Sequence, residues 1–195
     1  MNRSDITGVI LAGGRSTRMG EDKGLIEING RPLFEHIAEK LRPRVSEILI
    51  SCNRNRERYG RDFQTVPDIT PDFSGPLAGI LAALSVSKTE WVLFVPCDAP
   101  AFPDNLAEVL KAEVSGQNAV YARDPERAHP TLCLLNQKIM PDLESYLGNG
   151  DRKLMFFFEK IGAKSALFQD PSAFSNLNTP EDVELWKASQ RDIKP

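Results

Sequence analysis

Short, wholly apolar runs alternate along the chain with segments whose apolar positions recur every three or four residues. Residues 6–12, Ile-Thr-Gly-Val-Ile-Leu-Ala, read as a buried strand stopped by Gly13-Gly14. Pro32 opens a helix whose buried stripe is Leu33, Ile37 and Leu41, with Phe34 and Ala38 beside it; proline suits a first helical turn. Residues 47–52 form a second strand, and Gly75-Pro76 precedes a small apolar helix that runs to about Leu84. Residues 91–96, Trp-Val-Leu-Phe-Val-Pro, are a third strand, and a helix from Pro103 carries Leu106, Val109, Leu110 and Val114. Strands are expected near 118–122 and 130–135. Two helices follow, one holding Ile139, Leu143, Tyr146 and Leu147, the other Leu154, Phe157, Phe158 and Ile161. Their aromatic stripes read as core. After a strand near 164–169 a last helix begins, with Thr179 as N-cap, Pro180 at its first position and Asp182 in the capping-box position.

Strands that alternate with helices and are apolar on both faces imply a mostly parallel sheet covered on both sides. The expected fold is therefore α/β: a Rossmann-like three-layer α/β/α sandwich, with residues 1–195 as one domain. Open sheets of this kind bind ligands outside the carboxyl ends of their strands. The positions to inspect are those just after residues 12, 52, 66 and 96.

Charge and composition narrow the function. The net charge of −3 lacks the basic footprint of a nucleic-acid binder. Apolar runs such as Trp91 to Val95 are far too short to span a bilayer. The first residues lack the length and small-residue cleavage pattern of a signal peptide, so a cytoplasmic location is expected, with neither nucleic acid nor membrane as partner. Cys52, Cys97 and Cys133 form no Cys-x-x-Cys pair, and each lies in or at the end of an apolar run. They read as reduced, buried thiols. His36 and His129 stand far apart and make no zinc site by spacing.

The residues after the strand ends carry the candidate chemistry. Between Leu11 and Gly24 lie four glycines, two arginines and a lysine. Glycines let backbone N–H groups approach an anion closely, and Arg18 and Lys23 could neutralise a phosphate chain. Neither Gly-Lys-Ser/Thr nor Gly-x-Gly-x-x-Gly is present, which excludes a P-loop and disfavours a dinucleotide fingerprint. A plain surface turn is the competing reading. After the third strand comes Pro96-Cys97-Asp98-Ala99-Pro100. A carboxylate at the end of a buried strand must be solvated, paired or metal-bound. Mg²⁺ suits one or two carboxylates completed by water and substrate phosphates, whereas a turn-forming Asp is the simpler alternative. Asp68, after Thr65-Val66-Pro67, is a further candidate on the same edge.

The stretch Leu11-Ala12-Gly13-Gly14-x-Ser16-x-Arg18-Met19-Gly20-x-Asp22-Lys23 resembles the signature loop of nucleotidyltransferases related to the sugar-nucleotide pyrophosphorylases. Within that group the chain resembles the molybdenum cofactor guanylyltransferases. Four further motifs carry the likeness: Ser74-Gly75-Pro76-Leu77-Ala78-Gly79, Pro96-Cys97-Asp98-x-Pro100, His129-Pro130-Thr131 and Asn176-x-Asn178-Thr179-Pro180. Together they extend over about residues 6–186. The resemblance implies that the backbone of Leu11, Ala12 and Gly13 lines a guanine-nucleotide pocket, with Gly14 beside the phosphates. It implies Lys23 and Arg18 on the phosphate chain, Asp68 on the nucleoside and Mg²⁺ on Asp98. Either Ser51 or Asn53 would supply the polar contact after the second strand. Asn176 and Asn178 would lie on the pterin side.

The reaction so implied is GTP plus molybdopterin, giving the guanine dinucleotide form of the cofactor and pyrophosphate. Cofactor-delivery proteins or apo-molybdoenzymes are the protein partners it would admit. The attacking group is a phosphate monoester with a second pKa of about 6, already largely ionised at neutral pH. No general base is required, which suits a sequence without a Ser-His-Asp-like set. A cytidylyltransferase acting on molybdopterin or another small phosphorylated acceptor is the rival enzyme. Gly13 favours guanine, because cytidylyl relatives typically carry Ala there. A GTP-sensing module without turnover is the rival from outside enzymology.

Overall fold

The computed structural model describes residues 5–13, 22–69 and 75–191. Its centre is β1 (Ile6–Leu11), which pairs in parallel with β4 (Glu47–Ser51) on one side and with β6 (Trp91–Pro96) on the other. Seven strands form the sheet, in the order β5-β4-β1-β6-β8-β7-β9. The rest of it is β5 (Gln64–Val66), β7 (Ala119–Arg123), β8 (Ala128–Asn136) and β9 (Lys164–Leu167). β8 runs antiparallel to both its neighbours and every other pair is parallel. The mostly parallel sheet expected from the sequence is thus present.

Two-residue periodicity divides the apolar runs between two cores. Ile6 and Ile10 of β1, Leu93 and Val95 of β6, and Leu132 and Leu134 of β8 face one layer. Val9, Val92, Phe94, Cys133 and Leu135 face the other. The first layer holds α1 (Leu33–Leu41) and α4 (Leu106–Ala112), and the second holds α3 (Pro76–Val86), α5 (Met140–Gly148) and α6 (Leu154–Lys160). This is the three-layer α/β/α arrangement. The helices differ as their sequences require. α1 is amphipathic and buries Leu33, Phe34, Ile37, Ala38 and Leu41. α3 is apolar all round and buries every residue from Leu77 to Leu84, because it packs against both the sheet and α5. Each fully buried Leu, Ile or Phe contributes about 1.5–3 kcal/mol, so a single polar substitution in α3 outweighs most surface contacts.

Three differences from the sequence reading have local causes. The α-helix after Pro103 begins at Leu106, since residues before it form a turn closed by Leu106 N to Pro103 O at 3.0 Å. A small antiparallel pair, β2 (Glu27–Ile28) and β3 (Arg31–Pro32), precedes α1, and its two-residue strands leave no periodicity to read. A four-residue helix, α2 (Arg56–Tyr59), follows β4 for the same reason unheralded. A third, smaller apolar cluster joins Ile26, Ile28 and Leu33 to Leu177 and Val183. It fastens α7 (Pro180–Arg191) to the start of the chain.

The capping box at α7 is closed. Thr179 N donates to Asp182 Oδ2 at 2.8 Å, and Asp182 N donates to Thr179 Oγ1 at 3.2 Å. Asn178 N also donates to Asp182 Oδ2, at 2.9 Å. These backbone donors hold the Asp182 carboxyl below its ordinary pKa. Replacing Thr179 by Ala should cost about 1 kcal/mol, a drop of roughly 2–4 °C in the thermal midpoint for a domain of this size. A calorimetric scan of Thr179→Ala beside the parent checks it.

Candidate active site

The chain runs outward from β1 to β4 to β5, then crosses back to place β6 on the other side of β1. That reversal opens a crevice at the carboxyl ends of β1 and β6, where open α/β sheets bind ligands. Parallel pairing continues past the strand ends and fixes the loops there. Ala12 N donates to Ser51 O at 2.8 Å, Cys97 N to Leu11 O at 3.0 Å and Cys52 N to Val66 O at 3.0 Å. Leu11, Ala12, Ser51 and Cys97 are therefore held in register, with Gly13 exposed beyond them.

Lys23 and Asp98 meet in the crevice. Lys23 opens a 3₁₀ turn, Lys23–Leu25, and its Nζ donates to Asp98 Oδ2 at 3.0 Å. The same ammonium donates to Asn178 Oδ1 at 2.7 Å. Side-chain exposure is 18% for Lys23 and 20% for Asp98, so the pair is open enough for a ligand to reach yet shielded more than a surface salt bridge. Leu177 N donates to Asp98 O at 2.7 Å, which ties the late Asn-x-Asn segment to the loop after β6. Three segments that are distant in sequence thus converge on one cation. Asn176, two residues before Asn178, is exposed.

On the β4 side of the crevice, Asn53 and Asp68 clasp each other. Asn53 Nδ2 donates to Asp68 Oδ2 at 2.8 Å, and Asp68 N donates to Asn53 Oδ1 at 2.8 Å. Burial pushes the Asp68 carboxyl above its ordinary pKa, and the Asn53 amide pulls the other way. Ser51 is buried against α3, where a Cβ at Gly79 would collide with Ser51 Oγ and come within 3.4 Å of Asp68 Oδ1. Glycine at position 79 lets α3 pack that close. Asn53 thus contacts Asp68 directly, while Ser51 and Asp68 both come close to Gly79. Gly14, Arg18 and Ser74 lie outside the described residues.

Among the described residues no three His, Cys, Asp or Glu side chains gather as a metal cluster. Cys52, Cys97 and Cys133 are free and buried, as their apolar settings suggested. Burial pushes the Cys52 thiol up to about 11, and lifts Cys97 and Cys133 further, so the metal-free thiols are protonated. A lone carboxylate of partial exposure, Asp98, fits a cation that takes most of its ligands from water and substrate phosphates. No described helix is long and apolar enough to cross a membrane.

Sequence reasoning missed two supporting networks. One surrounds Asp22, beside Lys23. The other joins Asp124 and His129, the histidine of the His129-Pro130-Thr131 motif. Both side chains are buried, and His129 Nε2 donates to Asp124 Oδ2 at 2.7 Å. The imidazole stacks on Phe174 with ring centroids 4.4 Å apart, just before the Asn176 segment. A five-residue His–Asp spacing across a hairpin was the only signal available.

The class of protein is shown by its relatives. A family model described as "MobA-like NTP transferase domain" matches residues 8–165. The chain belongs to this MobA-like nucleotidyltransferase family and is an enzyme of that class. It is 54% identical over 186 residues to a molybdenum cofactor guanylyltransferase of Serratia proteamaculans, covering 94% of both chains. It is 48% identical over 190 residues to the protein of the same name from Yersinia pseudotuberculosis, covering 96% of this chain and 97% of that one. A solved structure of molybdopterin-guanine dinucleotide biosynthesis protein A from Archaeoglobus fulgidus superposes with a TM-score of 0.78 at 21% identity. It covers 96% of this chain and 100% of its own, which shows the common fold.

The His129–Asp124 contact makes a pH prediction. The His129 hydrogen bond first, then the backbone N–H groups of Arg127 and Glu126, lower the Asp124 carboxyl to a pKa of about 2. A depressed folded-state pKa adds stability above the unfolded value of about 4 and loses it as pH falls from there towards the folded value. Asp124→Asn should therefore flatten the decline of the thermal midpoint between about pH 4 and pH 2 relative to the parent protein. Parallel slopes for the two proteins in a pH series of melting curves would contradict this.

Proposed function

We propose that the chain, as one cytoplasmic domain, transfers GMP from GTP to the terminal phosphate of molybdopterin, forming the guanine dinucleotide cofactor and releasing pyrophosphate. The observation that carries this reading is the convergence of Lys23, Asp98 and Asn178 at the carboxyl edge of β1 and β6. It brings a phosphate-type cation, a metal-type carboxylate and a late polar motif to a single point, as joining two anionic reactants requires. The names of the relatives supply the nucleotide and the acceptor.

Leu11, Ala12 and Gly13 offer backbone groups to the guanine, and Ser51, Asn53 and Asp68 hold the nucleoside. Gly14 and Arg18 join the phosphate site on the strength of their motif. The acceptor's phosphate oxygen attacks the α-phosphorus, and the bond to the bridging oxygen of pyrophosphate breaks. Because the acceptor is already ionised, this chain's contribution is positioning and charge stabilisation. Lys23 is placed to follow the charge that builds on the departing pyrophosphate. Mg²⁺ bound to Asp98 would supply Lewis-acid stabilisation of the α-phosphoryl group. Asn178 is the second acceptor for the Lys23 ammonium and would hold it in the crevice for the phosphate chain. Asn176 and Asn178 face the pterin side. Cofactor-delivery proteins or apo-molybdoenzymes are the proposed protein partners.

Pyrophosphate release, measured with molybdopterin and each of the four nucleoside triphosphates, tests the reading. GTP should support turnover and CTP should not; turnover with CTP alone would establish the cytidylyl alternative. Nucleotide binding without any release would establish a sensor. In the same assay Asp98→Asn should fold normally and lose most activity. Near-normal turnover of that variant at low Mg²⁺ would remove Asp98 from the metal site.

The acceptor side yields a separate expectation. Asn176→Ala should leave GTP affinity within about twofold, a few tenths of a kcal/mol, while weakening molybdopterin binding clearly. Calorimetry with GTP and a separate pterin titration read the two halves. Loss of GTP binding with pterin binding intact would reverse the assignment.

A further inference from the structure

Lys23 is flanked by two residues that lean on the same buried phenol. Asp22 Oδ1 accepts a hydrogen bond from the Tyr59 hydroxyl at 2.6 Å. On the other side of Lys23, a Cβ at Gly24 would fall on that hydroxyl and come within 3.2 Å of the ring, so only glycine lets the turn lie this close. Asp22 also accepts from Gly24 N at 3.3 Å and, through Oδ2, from Asn55 Nδ2 at 3.0 Å. Asn55 adopts φ 52°, a left-handed conformation that Asn enters more readily than most residues. Tyr59 itself is fully buried and packs edge-on against Phe34, with ring centroids 4.8 Å apart. Its position is therefore set by the core under α1. Burial and the Asp22 carboxylate raise the pKa of the phenol far above its ordinary range, so the hydroxyl keeps its proton and remains a donor. A donor to a carboxylate makes a charge-assisted bond, stronger than a neutral one.

We propose that Tyr59 is a positioning residue for the transfer reaction: bonded to Asp22 and pressed against Gly24, it fixes where the Lys23 ammonium stands relative to Asp98. The loop after β4, which borders the nucleoside through Asn53, thereby also sets the phosphate cation through Tyr59 and Asn55. One side of the crevice is registered against the other through Tyr59 and Asn55. This inference rests on the proposed role of Lys23 on the phosphate chain.

The test compares affinities for GTP and GMP, each with Mg²⁺, by calorimetry, together with melting temperatures. The proteins are the parent, Lys23→Ala, Tyr59→Phe, Asn55→Gly and the Lys23→Ala/Tyr59→Phe double variant. Tyr59→Phe keeps the ring and should weaken GTP about tenfold, the scale of one charge-assisted hydrogen bond, while GMP changes less than about twofold. Asn55→Gly, at an exposed position, removes the amide without straining the left-handed backbone; it should act in the same direction more weakly, and it reads the network should Tyr59→Phe fold poorly. In the Lys23→Ala background Tyr59→Phe should add nothing, since the group it positions is gone. Equal losses for GTP and GMP, full additivity in the double variant, or a lowered melting temperature with an unchanged affinity ratio would each overturn the inference and leave Tyr59 as packing. A Lys23→Ala variant that weakens both nucleotides equally would instead refute the phosphate role of Lys23, and the Tyr59 inference would fall with it.

Discussion

β1 is hydrogen-bonded on both edges, to β4 and to β6, and its backbone has no freedom left by the time it reaches Leu11. Every part of the crevice inherits that constraint. The ladder continues through Ala12 to Ser51 and through Cys97 to Leu11, so the glycine-rich loop and the Pro-Cys-Asp loop leave the sheet at a fixed spacing. Buried backbone groups must find partners, and extending the ladder past the strand ends satisfies them where side chains cannot. A shift of β6 by one residue would turn its alternate faces over and exchange its contributions to the two cores. The cores on the two faces of the sheet thus also hold Asp98 beside Lys23.

On this frame the polar groups of the site are cross-braced rather than isolated. Asp98 receives Lys23 from the first loop and, through its carbonyl, Leu177 from the last segment. Asp68 is clasped by Asn53, and Asp22 by Tyr59, Asn55 and Gly24. A partly buried carboxylate without partners would be costly; Asp98 has Lys23, Asp68 has the Asn53 amide, and Asp22 has three donors. The arrangement leaves the crevice polar and preorganised, which suits a reaction whose catalysis is placement and charge neutralisation.

Much of this was legible in the residues. The wholly apolar runs of the strands, the stripe of α1 and the Thr179–Asp182 capping box are local patterns with local causes, and each is present. Lys23, Asp68 and Asp98 were all readable as strand-end residues, because a mostly parallel sheet gathers those ends on one edge. Asn178 was readable only as part of a late motif; its hydrogen bond to Lys23 spans 155 residues of sequence. Tyr59 carried no signal, and Asp124 carried only its five-residue spacing from His129. One lies in a four-residue helix too short for periodicity, and the other in a hairpin turn where an Asp is ordinary.

The sequence by itself determined the class of fold, the sheet edge on which the strands end together and the residue types that follow those ends. Hydrophobic periodicity and turn chemistry act over a few residues, and a few residues suffice to read them. The tertiary structure alone decided which distant groups meet: Lys23 with Asp98 and Asn178, Asp22 with Tyr59, and His129 with Asp124 and Phe174. Those contacts depend on the order of strands in the sheet and on helices packed to within a glycine's width, as at Gly24 and Gly79. Strand order is a property of the whole chain's burial, and no local pattern encodes it.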